Sequence, residues 1–103
     1  PPFDPVALLI QDVIFENGKS FSPSLGEKIY FELKTNRGTE FNVKIFDISG
    51  NFINNADNDS GPLKWSWDGK NKMRKVSSFG VYILYFIADS GELSHKEAVV
   101  LIK

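Results

Sequence analysis

The stretch GVYILYFIADSG, residues 80–91, decides how the rest of the chain is read. β-Branched and aromatic side chains fill it from Val81 to Ala88, no helical period runs through it, and Ser90-Gly91 supplies a tight turn. It reads as a long strand entering a hairpin, with residues 93–102 as the returning strand. A strand with one wet face alternates apolar and polar residues, yet here both parities are apolar. Tyr82, Leu84, Phe86 and Ala88 are assigned to the core, which leaves Val81, Ile83, Tyr85 and Ile87 on the outer face. With Ala98, Val100 and Ile102 turned inward on the returning strand, Val99 and Leu101 join that strip as a candidate interface. The strip has two readings. It is the second face of a central strand, covered by long side chains or by the N-terminal segment, or it is a docking patch for an adjacent domain or another copy of the chain.

The neighbouring segments extend the pattern. Residues 8–15 form a first strand closed by Asn17-Gly18. Residues 27–34 alternate, with Ile29, Phe31 and Leu33 on one side, and residues 40–47 place Phe41, Val43 and Ile45 together. Ser49-Gly50-Asn51 turns the chain into Phe52-Ile53, residues 54–62 are polar and read as a loop, and residues 63–67 make another strand. Short strands spaced about ten residues apart, with turn residues between them, describe an all-β antiparallel sandwich of about seven strands.

Composition narrows the function classes. The chain has 103 residues, 42% hydrophobic and 24% charged, which suits one globular domain. Its net charge is −1 and its cations are scattered, the longest cluster being Lys72 to Lys75, so nucleic acid is not an expected partner. With no cysteine, disulfides and thiolate metal sites are excluded. The apolar run at residues 81–88 is too short to cross a bilayer as a helix, and no membrane insertion is expected. Pro1-Pro2-Phe3-Asp4-Pro5 reads as a stiff linker, so residues 1–7 are assigned to a linker and residues 8–103 to one sandwich module.

Trp65 and Trp67 stand two residues apart, which puts them on one side of a strand with Leu63, while Lys64, Ser66 and Asp68 share the other. An apolar trio backed by a polar trio marks a half-buried strand, so both indoles are assigned to the core. A sugar-stacking platform would need them exposed beside hydrogen-bonding groups. Asp68-Gly69 and the Asp47 to Gly50 segment read as turns in which a carboxylate accepts amide hydrogens and glycine supplies positive φ. Oxygen-bearing side chains alternate through residues 55–61 as in calcium loops, but Ser60 and Ser66 stand where an EF-hand needs glycine and glutamate. A looser calcium site or a solvated loop remain the two readings there. His95, the one histidine, reads as a solvated side chain at a polar strand start, with no partner for a metal set or a catalytic triad. No cofactor is expected, and no carboxylate pair gives reason to expect an enzyme.

Residues 43–50 (VKIFDISG), 67–71 (WDGKN), 80–82 (GVY) and the closing 98–103 (AVVLIK) follow one another in a familiar order. The ordered set resembles the immunoglobulin-like domain named after the flagellar hook-capping protein (FlgD-type), whose relatives include C-terminal sorting domains of the type IX secretion pathway. The resemblance covers residues 21–103 and implies an immunoglobulin-like sandwich. Phe21-Ser22-Pro23 matches the family's opening turn, but Ser24-Leu25-Gly26-Glu27 lacks its asparagine and aspartate. The family's glycine before the valine-serine stretch is replaced by Arg74 or Lys75. Gly50, Trp67, Asp68, Gly69, Gly80 and Tyr82 fall on matched motifs as core and turn residues.

The resemblance implies a non-catalytic C-terminal accessory or sorting module of a bacterial protein that is secreted or held at the cell surface. Its expected partners are adjacent domains of its parent or the secretion machinery, with weak self-association as a further expectation. The competing readings are a carbohydrate-binding module, which would need Trp65, Tyr30 or Tyr85 in an open groove, and a self-associating adhesin repeat.

Overall fold

The computed structural model describes residues 8–36, 38–91 and 93–102; the linker assigned to residues 1–7 lies outside the described residues. Among the described residues nine strands follow one another: β1 Ile10–Phe15, β2 Ser20–Phe21, β3 Ile29–Thr35, β4 Phe41–Asp47, β5 Phe52–Asn55, β6 Asp57–Asn58, β7 Lys64–Trp67, β8 Gly80–Ala88 and β9 Ser94–Leu101. A 3₁₀ turn, Pro23–Leu25, follows β2. The strands form two sheets, a four-stranded one ordered β1-β3-β7-β6 and a five-stranded one ordered β2-β9-β8-β4-β5. In an immunoglobulin domain strands A, B, E and D face strands C, F and G. β1, β3, β7 and β6 occupy the first set of places here, and β4, β8 and β9 the second.

Two strands beyond those expected appear. Residues 16–19 carry the chain from one sheet to the other without reversing it, so β2 meets β9 running the same way, pairing Ser20 with Val100 and Phe21 with Leu101. The sandwich is therefore antiparallel except for this two-residue parallel pair. The segment read as a polar loop also holds structure: β5 runs on to Asn55, and Asp57 and Asn58 pair with Ser66 and Trp65. Asn58 Nδ2 donates to the carbonyls of Gly61 and Lys64, closing the turn into β7. Neither residue favours strands, so it is pairing with β7 that makes them one.

The inward faces meet in one core. Phe31, Trp65 and Phe86 form a ring cluster across the two sheets, with centroids 5.6–6.0 Å apart. Such pairs add about 0.5–1.5 kcal/mol beyond the area they bury. Trp67, 1% exposed, packs edge-on to Phe21 and Tyr82 and donates its indole N–H to the Lys70 carbonyl. Two residues on, Gly69 has φ +84, and a β-carbon there would lie 2.6 Å from Pro23 Cγ, so the turn presses against the 3₁₀ segment. Tyr82, near the start of β8, donates its phenol to the carbonyl of Ser78 four residues upstream. This is the tyrosine corner of immunoglobulin-like sandwiches, tying the crossing loop to the strand it enters. Burial pushes that phenol's pKa above its ordinary value, and the charge of Asp47 acts in the same direction.

Candidate interaction face

The outer face of the five-stranded sheet is built in cross-strand rows, because directly paired residues share a side. Phe52, Phe46, Ile83 and Ala98 make one row across β5, β4, β8 and β9, and Val81 beside Val100 makes the next. On the other side of the apolar row stand Lys44, Tyr85 and Lys96, and beyond them Asn42, Ile87 and Ser94. Phe46 packs edge-on to both Phe52 (5.7 Å) and Tyr85 (6.2 Å). Lys96 Nζ lies 5.5 Å from the Tyr85 ring and Lys72 Nζ 5.3 Å from the Phe52 ring, so cations border an aromatic band. A shallow concavity of about 680 Å³ opens on this face, bordered by Phe46, Ile48, Ile83, Tyr85, Lys96 and Ala98.

Four of the six residues singled out for the interface lie on this face: Val81, Ile83, Tyr85 and Ile87 are exposed or half-buried there. Val99 and Leu101 do not. They are 0% and 2% exposed and belong to the core. The hairpin pairs Tyr82 with Val99 and Gly80 with Leu101, so both follow Tyr82 inward, while Ala98 and Val100 follow Ile83 and Val81 outward. The expected parity of β9 was off by one residue, and in a strand that changes the face of every side chain. Phe46 and Phe52 were missed. They flank the Asp47 to Asn51 turn, and that flanking position was the available signal for a cross-strand aromatic pair.

The turn is held by Asp47. Its Oδ1 accepts the amides of Asn51 (2.8 Å) and Ser49 (3.0 Å), and its Oδ2 accepts the Asn51 side-chain amide. These bonds, the Asn51 amide foremost, hold its pKa below the usual carboxylate range. Gly50, φ +90, completes the turn. Asp68 plays the same part before Gly69, its Oδ1 accepting the Lys70 amide.

His95 differs from the solvated reading, and Glu97 stands beside it. Their places on β9 alternate with the outward Lys96, so they point toward the sandwich interior where, among the described residues, β9 has no strand beside it on that edge. Glu97 binds Lys19 at 2.8 Å and His95 at 2.5 Å, and His95 lies 6.1 Å from the Phe86 ring. Burial pushes the Glu97 carboxyl up, but hydrogen bonds and charge from Lys19 and His95 outweigh it and leave the pKa below its ordinary value. Charges aimed inward at a free sheet edge discourage another strand from pairing there. Among the described residues no three His, Cys, Asp or Glu side chains gather to hold a metal ion. Nor is any helix there long and apolar enough to cross a membrane.

No protein-family model matches the chain, and no curated protein matches it. A solved structure shares the fold. It is that of PorZ, described as an essential bacterial surface component of the type IX secretion system of Porphyromonas gingivalis. The likeness has a TM-score of 0.65, covers 88% of this chain and carries 15% sequence identity. The chain spans 11% of the length of PorZ, so it is similar to one part of a much larger molecule. At that identity the likeness is one of fold.

Proposed function

We propose that the chain is a non-catalytic accessory module of a secreted or surface-attached bacterial protein, serving support, attachment or export through a protein contact. The observation that carries this reading is the aromatic and aliphatic band on the outer face of the five-stranded sheet, four strands wide and bordered by Lys44 and Lys96. A face of this kind fits a protein neighbour, since interfaces gather aromatic and aliphatic anchors inside a polar rim. Two further points support it: the resemblance of residues 43–50, 67–71 and 80–82 to FlgD-type and type IX sorting domains, and the fold likeness to a surface component of that pathway. Of the aromatic residues that a sugar platform would use, Trp65 is buried, whereas Tyr30 and Tyr85 are half-buried on the outer faces of different sheets and so form no common platform.

The test is fractionation of the native organism with antibodies against this module and against another part of its parent. The parent is expected at the cell surface or in the medium, and Ile83→Lys should hold it in the cell-associated fraction while the isolated variant keeps its fold by circular dichroism. A wild-type parent confined to the cytoplasm, or a variant that reaches the surface as well as wild type, would overturn the reading.

A further inference from the structure

The two ends of the sandwich differ in what their loops expose. The β2–β3, β4–β5 and β7–β8 connections meet at one end, tied together by the packing of Gly69 against Pro23 and by the Ile53 carbonyl accepting the Lys72 amide. This end carries the most exposed large apolar side chains among the described residues: Met73 at 77%, and Leu25 and Ile48 at 75%. Val76 and Phe79, each more than half exposed, stand in the same β7–β8 loop. At the opposite end only Leu9 is comparably exposed among the described residues.

Cations are interleaved with these side chains. Lys70, Lys72, Arg74 and Lys75 flank Met73, and all four are exposed. The carboxylates of the same three loops are engaged with backbone: Glu27 accepts the Ser22 amide, Asp47 the amides of its own turn, and Asp68 the Lys70 amide. The loop is ordered rather than slack. Asn71 Oδ1 accepts the amides of Met73 and Lys75, and the Arg74 amide bonds the Asn71 carbonyl. That geometry places Arg74 at φ +64, a left-handed conformation that an L side chain rarely adopts. It stands at or next to the place where the resembling family has glycine, so a cation occupies a site that backbone geometry would give to glycine.

We propose that this end of the sandwich docks on an anionic lipid bilayer, with Met73, Val76, Leu25 and Ile48 seated shallowly among the acyl chains. Lys70, Lys72, Arg74 and Lys75 would bind the phosphate level. The mixture favours lipid over protein. Protein interfaces deplete charge from their apolar centre, whereas interfacial membrane contacts set apolar side chains directly beside long cationic ones whose heads reach back to the headgroups. The amides of the Asn71 to Lys75 turn are already bonded, Lys72 to the Ile53 carbonyl and the others within the loop, so shallow burial leaves them satisfied. Shallow seating of loop side chains departs from the expectation of no membrane insertion, though it needs no spanning segment. It centres on the loop tips and shares only Ile48 and Lys72 with the border of the sheet face proposed above, so Met73→Asp and Ile83→Lys test the two contacts separately.

The test is co-sedimentation of the 103-residue chain with vesicles of mixed phosphatidylglycerol and phosphatidylcholine, and with phosphatidylcholine alone. Binding is expected to the anionic vesicles, to weaken as salt rises, and to be lost on neutral ones. Arg74→Gly, which relieves the backbone strain and should not lower the melting temperature, should weaken binding about fivefold, as should Lys75→Gln. Met73→Asp should weaken it roughly tenfold or more. Failure to bind anionic vesicles, equal binding to neutral ones, or indifference to all three substitutions would overturn the proposal. Concentration-dependent dimers abolished by Met73→Asp would assign the patch to a second copy and overturn it as well.

Discussion

The outer faces of the two sheets make opposite use of the same pleat. On the four-stranded sheet the outward rows are Asp12 with Lys34, then Ile14, Glu32 and Lys64, then Tyr30, Ser66 and Asp57. Glu32 and Lys34 are 3.2 Å apart on that surface, where such a pair contributes little. On the five-stranded sheet the corresponding rows run Phe52, Phe46, Ile83, Ala98 and Val81, Val100. The outward positions of the first sheet are largely polar and solvent-facing, with Ser66 buried between its neighbours. On the second sheet β8 fails to alternate, although its neighbours β4 and β9 turn Asn42, Lys44, Ser94 and Lys96 outward. The core takes one apolar parity from each sheet, and the second apolar parity of β8 supplies the middle of the band in which the protein contact is proposed.

The comparison can be tested from the floor upward. Trp67 packs between the two sheets, and Trp67→Ala should lower stability by about 3–5 kcal/mol in urea unfolding. A much smaller loss would mean that the core can close over the gap and that the two faces do not share a rigid base. Gly69→Ala should cost about 2–4 kcal/mol, since it adds left-handed strain and drives a methyl into Pro23. Calorimetry that found it neutral would show the 3₁₀ turn free to move away from β7.

Between the outer faces themselves, Ile83→Ser should cost about 1 kcal/mol and Glu32→Ser less than about 0.5 kcal/mol. Equal costs in thermal melts would erase the distinction drawn here. The smallest effect belongs to the open edge of β9. Glu97 has a depressed pKa in the folded chain, so its contribution is present above the ordinary glutamate value, about 4.3, and is lost as pH falls through the folded value. Wild type should therefore lose more stability than Glu97→Gln between roughly pH 5 and pH 3. Parallel pH profiles would show that Lys19 and His95 do not hold that carboxylate in solution.

Alternation made much of this architecture legible. Residues 29–33 and 41–45 state their inward side plainly, and Trp65 with Trp67 does the same for β7. Legibility failed where alternation is silent. Residues 98–102, AVVLI, are apolar at every position, so nothing local orients β9, and its facing is fixed by pairing across the hairpin from β8. Asp57 and Asn58 carry no strand preference and take theirs from β7. His95 and Glu97 look like surface residues in sequence because a charge aimed inward at a sheet edge has the same composition as a solvated one. On the candidate face, Val81, Ile83, Tyr85 and Ile87 were readable from β8 alone. Phe46 and Phe52 required knowing that their strands pair across the Asp47 turn.

The parallel pair of β2 and β9 bears on how the chain would carry load. Val100 donates to the Lys19 carbonyl and Ile102 to the Phe21 carbonyl, at 2.7 and 2.9 Å. Tension applied between residues 8 and 102 draws β2 and β9 past each other along their common axis. Both bonds are then loaded in shear and must yield together, whereas a hairpin pulled from its open end unzips one bond at a time. These two bonds between the beginning and end of the sandwich thus act as a clasp against stretching.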